Sequence, residues 1–298
     1  MKKLLFIMNP FAGQKKANKV LPEILMLFTE AGFEINISMT TGPGVAAQLA
    51  AERGGMADLV VCCGGDGTLN ETIAGLLDAG LDVPVGYIPS GTTNDFASSL
   101  NLSHNPIQAA KDILEGEPVA YDICKFGDRY FCYVASFGAF TKASYAVPQT
   151  LKNALGHTAY VLGGISELSQ IRNEHVRMEI DGEVVEDDFL FGAICNSTSV
   201  GGILTLPQDQ VDMGDGIFEV MLIRAPRHIN EIADCILAVQ NQTYNCGMIT
   251  FRPAKAVKIL ADPSMAWTLD GEKADGYREI PVENLHHAVK IMKRVNKV

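Results

Sequence analysis

Along the first part of the chain, short apolar runs alternate with stretches of helical periodicity. Leu4 to Met8, Ile35 to Met39, Leu59 to Cys63 and Val85 to Ile88 read as buried strands. Between them, helices are expected around Ala17 to Ala31, from Val45, from Asn70 and from about Asn94. Such alternation builds a parallel sheet with helices on both faces, and sheets of this kind bind ligands at the carboxyl ends of their strands. A Gly-rich stretch follows three of these strands: Asn9 to Gly13, Gly64 to Thr68 and Pro89 to Asp95. Three loops should therefore converge on one edge.

From about Val119 the pattern changes to period-2 runs rich in β-branched and aromatic residues: Tyr130 to Val134, Val176 to Ile180, Phe189 to Ile194, Ile217 to Ile223, Ala256 to Leu260 and Trp267 to Leu269. Asp181-Gly182 and Asp270-Gly271 are hairpin-turn dipeptides. The fold class expected is α/β plus β. A parallel α/β nucleotide-binding domain spans 1–120, and an antiparallel, sandwich-like domain spans 121–298 with one helix at about Asn230 to Gln240. The C-terminal tail is expected to pack back on the first domain, with a cleft between the two.

Composition narrows the function classes. The chain has 298 residues, 47% of them hydrophobic, and no apolar run approaches the roughly 20 residues that span a bilayer. The apolar start stops at Asn9-Pro10 without a small-residue cleavage site, so it reads as a first strand rather than a signal peptide. A net charge of −11 argues against nucleic-acid binding and against plain adhesion to anionic lipid. Seven scattered cysteines fit a reduced, cytoplasmic setting. No histidine cluster has zinc-ligand spacing, and the neighbours His286 and His287 should point apart on a strand.

The strongest chemical signal is Gly64-Gly65-Asp66-Gly67-Thr68-Leu69-Asn70-Glu71, which follows a buried strand and opens a helix. Glycines let backbone N–H groups approach phosphate oxygens, and the helix N-terminus adds a favourable dipole. It is not a Walker A loop, because it lacks GxxxxGK[ST]. The competing reading is a tight strand-to-helix connection. Asp66 weighs against it, since an acid there has no evident packing role and its loss should barely move the thermal midpoint.

Together with Pro89-Ser90-Gly91-Thr92-Thr93-Asn94-Asp95-Phe96, this loop resembles the paired signature of the diacylglycerol-kinase catalytic domain, in particular the soluble bacterial lipid kinases related to sphingosine kinases. The resemblance extends over essentially the whole chain, including Asn9-Pro10, Thr40-Thr41, Asp122, Leu155 to Tyr160, Asp215-Gly216 and Asp270-Gly271-Glu272. It implies ATP bound by Asn9, Thr40, Gly64, Gly65, Asp66, Gly67, Thr68, Leu69, Asn70 and Thr92. It implies Asp66, Asp95 and Asp122 around a catalytic Mg²⁺ and its waters, and Glu272 as general base on the second domain, so that both domains would contribute to the site. A second, structural magnesium loop is implied by Asp212 and Ile217, through their carbonyls, and by the Asp215 side chain. Here the sequence departs from the family pattern, with Gly214 where a second aspartate is usual. Against these stand plainer readings: Asp95 as a helix-start acid, Asp122 and Glu272 as exposed carboxylates, and Asp215 as part of an ordinary turn. Lys15, Lys16 and Lys19, and the tail cations Lys290, Lys293, Arg294 and Lys297, read best as a solvated face.

The GGDG loop also occurs in NAD kinases and phosphofructokinases, and the second loop favours the lipid branch. A catalytically lost nucleotide-binding regulator should have lost one of Asp66, Asp95, Asp122 or Glu272, and all four are present. The resemblance leaves open the lipid acceptor, whether diacylglycerol, a sphingosine-like base, ceramide or phosphatidylglycerol, and also homodimerisation. It implies a transient meeting with the lipid at the inner membrane face.

Overall fold

The computed structural model describes residues 1–13, 16–138, 173–200, 204–206, 211–244 and 246–294. They divide into two compact units, Met1–Ile123 with Leu285–Val298, and Cys124–Asn284. The segment Leu155 to Tyr160, together with Lys15 and Lys297, lies outside the described residues.

In the first unit β1 (Lys2–Met8), β2 (Phe33–Met39), β3 (Leu59–Gly64) and β4 (Val85–Pro89) run parallel in the order β2-β1-β3-β4. Beyond β4 the end of strand Glu279–Lys293 adds a further parallel partner, with Ile291 opposite Val85. The inner strands read as nearly continuous apolar runs because helices cover both faces. On one face α1 (Lys16–Glu30) and α5 (Pro106–Glu115) bury Leu4, Phe6, Met8, Leu59 and Val61. Phe28 of α1 sits edge-on to Phe6 and Phe33, at 6.5 and 6.1 Å between ring centres. The alternate residues Leu5 and Ile7 are also fully buried, and point to the opposite face. There α2 (Val45–Arg53) and α3 (Asp66–Asp78) pack on β1, on β3 and on each other.

The α2–α3 contact depends on Gly75. A Cβ there would lie 2.1 Å from the Ala47 carbonyl oxygen, which is backbone and cannot swing aside. Gly75→Ala should therefore destabilise the protein by about 2 to 3 kcal/mol in urea unfolding, despite alanine's better helix propensity. An unchanged midpoint would mean that the helices separate at no cost.

The second unit is antiparallel, as its period-2 runs predict. Strands Glu174–Ile180 and Glu183–Cys195 form a hairpin across Asp181-Gly182, whose φ values of 51° and 85° are those of a type I′ turn. Strand Glu183–Cys195 also pairs with Val134–Gly138 and Phe218–Arg224. The core centres on Trp267, its ring 4.7 Å from that of Phe126 and 4.9 Å from that of Phe137.

Two expectations need correction. α3 begins at Asp66, four residues before Asn70, so the GGDG segment is itself the helix start. The run Tyr130 to Val134 is two strands, Arg129–Phe131 and Val134–Gly138, broken at Cys132-Tyr133. The break is imposed by Asp270. Its buried carboxylate accepts the backbone N–H groups of Cys132, Tyr133 and Val134 at 2.6, 3.0 and 3.0 Å, turning those amides out of any ladder.

Candidate active site

All three Gly-rich loops meet at the carboxyl edge of the parallel sheet. The loop after β1 touches the loop after β4, and a Cβ on Gly13 would lie 2.3 Å from Ser90 O. The loops after β3 and β4 touch backbone to backbone, so a Cβ on Gly91 would lie 2.7 Å from the Gly65 Cα. Glycine is required at both because the space a side chain needs is already occupied by main chain. Asn9 ties the first loop to the second, its Nδ2 donating to Thr68 Oγ1 at 3.2 Å while its Oδ1 accepts from the Phe11 N–H. Thr40, at the end of β2, is buried and donates its N–H to Met8 O at 2.8 Å.

The third loop is shaped by Asn94, which is buried and left-handed with φ 56°. Its Oδ1 accepts the Gly91 N–H at 2.8 Å and its Nδ2 donates to Gly91 O at 3.1 Å, holding the loop as a closed ring. Thr92 is left exposed at the tip. Gly65, the N-cap of α3, has no side chain to occupy the helix's first amides, and an anion is the group such a terminus accepts.

Asp66 has a packing role that its sequence context hides. Its two carboxylate oxygens accept the N–H groups of Asp95 and Phe96 at 3.0 and 3.3 Å, capping α4 (Asp95–Ser99). Glu71, one turn further along α3, likewise accepts Gly44 N and Ala46 N at the start of α2. The expectation that loss of Asp66 leaves stability untouched is thus corrected. Asp95 is buried beside this cap.

The structure therefore brings together Asn9, Gly64, Gly65, Asp66, Thr68, Gly91, Asn94 and Asp95. Asp122 belongs to a different hydrogen-bond cluster within the same unit. It is fully buried, and its Oδ1 accepts the His287 N–H at 2.8 Å and lies 3.0 Å from His286 Nδ1. Glu272 stands in the second unit, exposed at the start of strand Glu272–Ala274, just past the Asp270-Gly271 turn with φ values of 50° and 82°. Asp270, expected only as a turn residue, anchors that hairpin through its three amide contacts. No local sequence signal announces this, because the amides lie more than 130 positions away. Of the tail cations, Lys290 pairs with Asp82, and Arg294 with Asp112 and Glu115, so their charges are answered within the protein.

Around the second metal loop, Asp212 Oδ1 accepts the Gly214 N–H and Asp215 Oδ1 the Ile217 N–H, at 3.0 and 2.9 Å. Glu219 lies beneath, 3% exposed, with Oε2 unpartnered, and the buried Asn284 Oδ1 is also unpartnered while its Nδ2 donates to Ile217 O. Burial, reinforced by Asp215 and Asp212, pushes the Glu219 carboxyl from its usual 4.5 up to about 8. An all-oxygen, acid-rich set with orphaned acceptors fits a hard divalent cation, and Glu219 supplies an acid close to the loop in which Gly214 lacks one.

Without divalent cations, the raised carboxyl sets a sign for stability against pH. The folded state keeps a proton that the unfolded chain has released, so this contribution is complete below about 4.5 and is lost as pH rises through about 8. Its full size is at most about 5 kcal/mol. Urea midpoints measured in chelator should fall between pH 6 and 9, millimolar Mg²⁺ should restore much of the loss, and Glu219→Gln should flatten the slope. A pH profile unaffected by that substitution would remove Glu219 from the account.

Glycine-lined loops that meet at the carboxyl edge of a parallel sheet, one of them opening a helix, are the arrangement that receives the phosphates of a ligand. Residues 3–126 match the diacylglycerol kinase catalytic domain and residues 134–292 the YegS C-terminal NAD kinase beta sandwich-like domain. Diacylglycerol kinases of Bacillus subtilis (strain 168) and Staphylococcus carnosus (strain TM300) are 33% and 32% identical over 274 residues, covering 91% of this chain and 90% and 89% of theirs. A crystal structure from Bacillus anthracis str. Sterne superposes with TM-score 0.80 at 25% identity, covering 98% of this chain and 95% of the other. A diacylglycerol kinase structure from the same strain, 23% identical, shares the fold with TM-score 0.75. The chain belongs to the diacylglycerol kinase family and is a lipid kinase.

Proposed function

We propose that this protein transfers the γ-phosphate of ATP to a lipid hydroxyl in a magnesium-dependent reaction, with diacylglycerol as the acceptor and phosphatidic acid as the product. The observation that carries the reading is the backbone contact between Gly65 and Gly91, which sets the loops after β3 and β4 side by side with Asp66 and Asp95 at their junction. The relatives named diacylglycerol kinase support the choice of acceptor.

In this reading the first turn of α3 receives the nucleotide phosphates, Asn9 and Thr68 fix the loop beneath them, and Thr40 and Thr92 border the nucleotide. Bound magnesium supplies charge neutralisation on the phosphates, and Asp66, Asp95 and Asp122 are the acids assigned to it and its waters. Glu272 accepts the proton of the acceptor hydroxyl as the phosphoryl group arrives. Asp212, Asp215 and Ile217, with Glu219, hold the structural cation.

The test is transfer of labelled γ-phosphate from ATP to a panel of lipids in mixed micelles, with products identified by mass. Labelled phosphatidic acid is expected. Preferential labelling of a sphingosine-like base, ceramide or phosphatidylglycerol would change the acceptor, and labelling of NAD would overturn the lipid reading. Flotation with vesicles should show weak, reversible binding at the membrane surface.

A further inference from the structure

Strand alternation should send His286 and His287 to opposite faces. Instead His287 adopts φ 54°, and the two imidazoles stack, with centroids 3.7 Å apart and planes 25° from parallel. Both residues are exposed, while Asp122, on the strand Glu117–Phe126 that pairs with theirs, is fully buried. One ligand atom from each of the three side chains lies within 4.8 Å of the other two. A left-handed histidine is uncommon, and here it gathers two imidazoles over a buried carboxylate.

We propose that Asp122, His286 and His287 form a binding site for a divalent transition metal of the zinc class. Two imidazoles and a carboxylate form a ligand set that suits zinc and its neighbours, whereas magnesium demands oxygen donors and sheds its water reluctantly. Donors around a tetrahedral zinc stand about 3.3 Å apart. Asp122 Oδ1 and His286 Nδ1, at 3.0 Å, already have nearly that spacing. The third donor closes in by a turn of one exposed ring, which also breaks the stacking so that both lone pairs aim at one point. Three protein ligands leave a fourth position for water or a phosphate oxygen. Because Asp122 is among the acids assigned above to magnesium-dependent transfer, zinc at this site withdraws it and inhibits the kinase. That last consequence rests on the proposed function, and the binding of metal does not.

The experiment is equilibrium dialysis of the whole protein against Zn²⁺ in excess Mg²⁺, with the visible spectrum of Co²⁺ as a probe of nitrogen ligation. Wild type is compared with His286→Ala, His287→Asn and the double variant, asparagine being chosen because it tolerates the left-handed backbone. Unfolding midpoints confirm that each variant is folded. Wild type should bind one zinc more than the double variant, and each single substitution should weaken that zinc by at least about tenfold. In the kinase assay, zinc should inhibit the wild type and spare the double variant. Equal zinc binding by wild type and double variant, or a Co²⁺ spectrum indifferent to both histidines, overturns the site. Loss of all lipid phosphorylation would strike the proposed function and leave the dialysis result to decide this one.

Discussion

Glu272→Gln should slow the chemical step by roughly 10²- to 10⁴-fold and leave nucleotide affinity where it was. The substitution keeps the size of the side chain and its hydrogen bonding, and removes only the proton acceptor. Its hairpin should be undisturbed, since the turn is fixed by Asp270 through the amides of Cys132, Tyr133 and Val134 rather than by Glu272 itself. A loss of that size corresponds to about 3 to 5 kcal/mol of transition-state stabilisation. Single-turnover transfer to lipid, set beside binding of a non-hydrolysable ATP analogue with magnesium, separates chemistry from binding. Near-normal transfer, or a matching loss of nucleotide affinity, would return Glu272 to an ordinary hairpin carboxylate.

Asp66 should behave differently on every axis. Asp66→Asn should weaken magnesium and nucleotide binding as well as turnover, because the assigned partner of the carboxylate is the ion and phosphate group. Asp66→Ala adds a structural penalty, since it removes both acceptors for Asp95 N and Phe96 N at the start of α4. By analogy with the loss of helix caps, that penalty is about 1 to 2 kcal/mol. It should appear as a lower urea midpoint in the absence of nucleotide. An alanine variant with wild-type stability would show that α4 keeps its cap without Asp66, and one with wild-type nucleotide affinity would remove Asp66 from the site.

The first unit could be read from the sequence because its signals are local. Each buried strand is a short apolar run, and each loop that reaches the site announces itself by glycine where main chains touch. Asp181-Gly182 and Asp270-Gly271 likewise state their turns, with the positive φ values that asparagine, aspartate and glycine tolerate. What stayed hidden depends on partners distant in sequence. Asp66 looked like chemistry alone because the amides it caps lie about 30 residues on. Asp270 looked like a turn and nothing more, and nothing in the sequence singled out Glu219, which the fold buries near Asp212 and Asp215. His286 and His287 misled the alternation rule because one backbone torsion departs from the strand.

The parallel partner of β4 has a consequence for the order of synthesis. β3 and β4 arise early and pair with each other, but the free side of β4 is closed by Ile291, about 200 residues later. At ribosomal speeds of about 5 to 20 residues per second, that flank waits for roughly 10 to 40 seconds after Val85 is made. During this interval a fully buried strand of the finished protein presents an open ladder of N–H and C=O groups, the feature by which nascent chains join one another. The nascent chain thus passes through a stage in which its three Gly-rich loops can already be assembled while the adjoining sheet edge is still open to pairing with another chain.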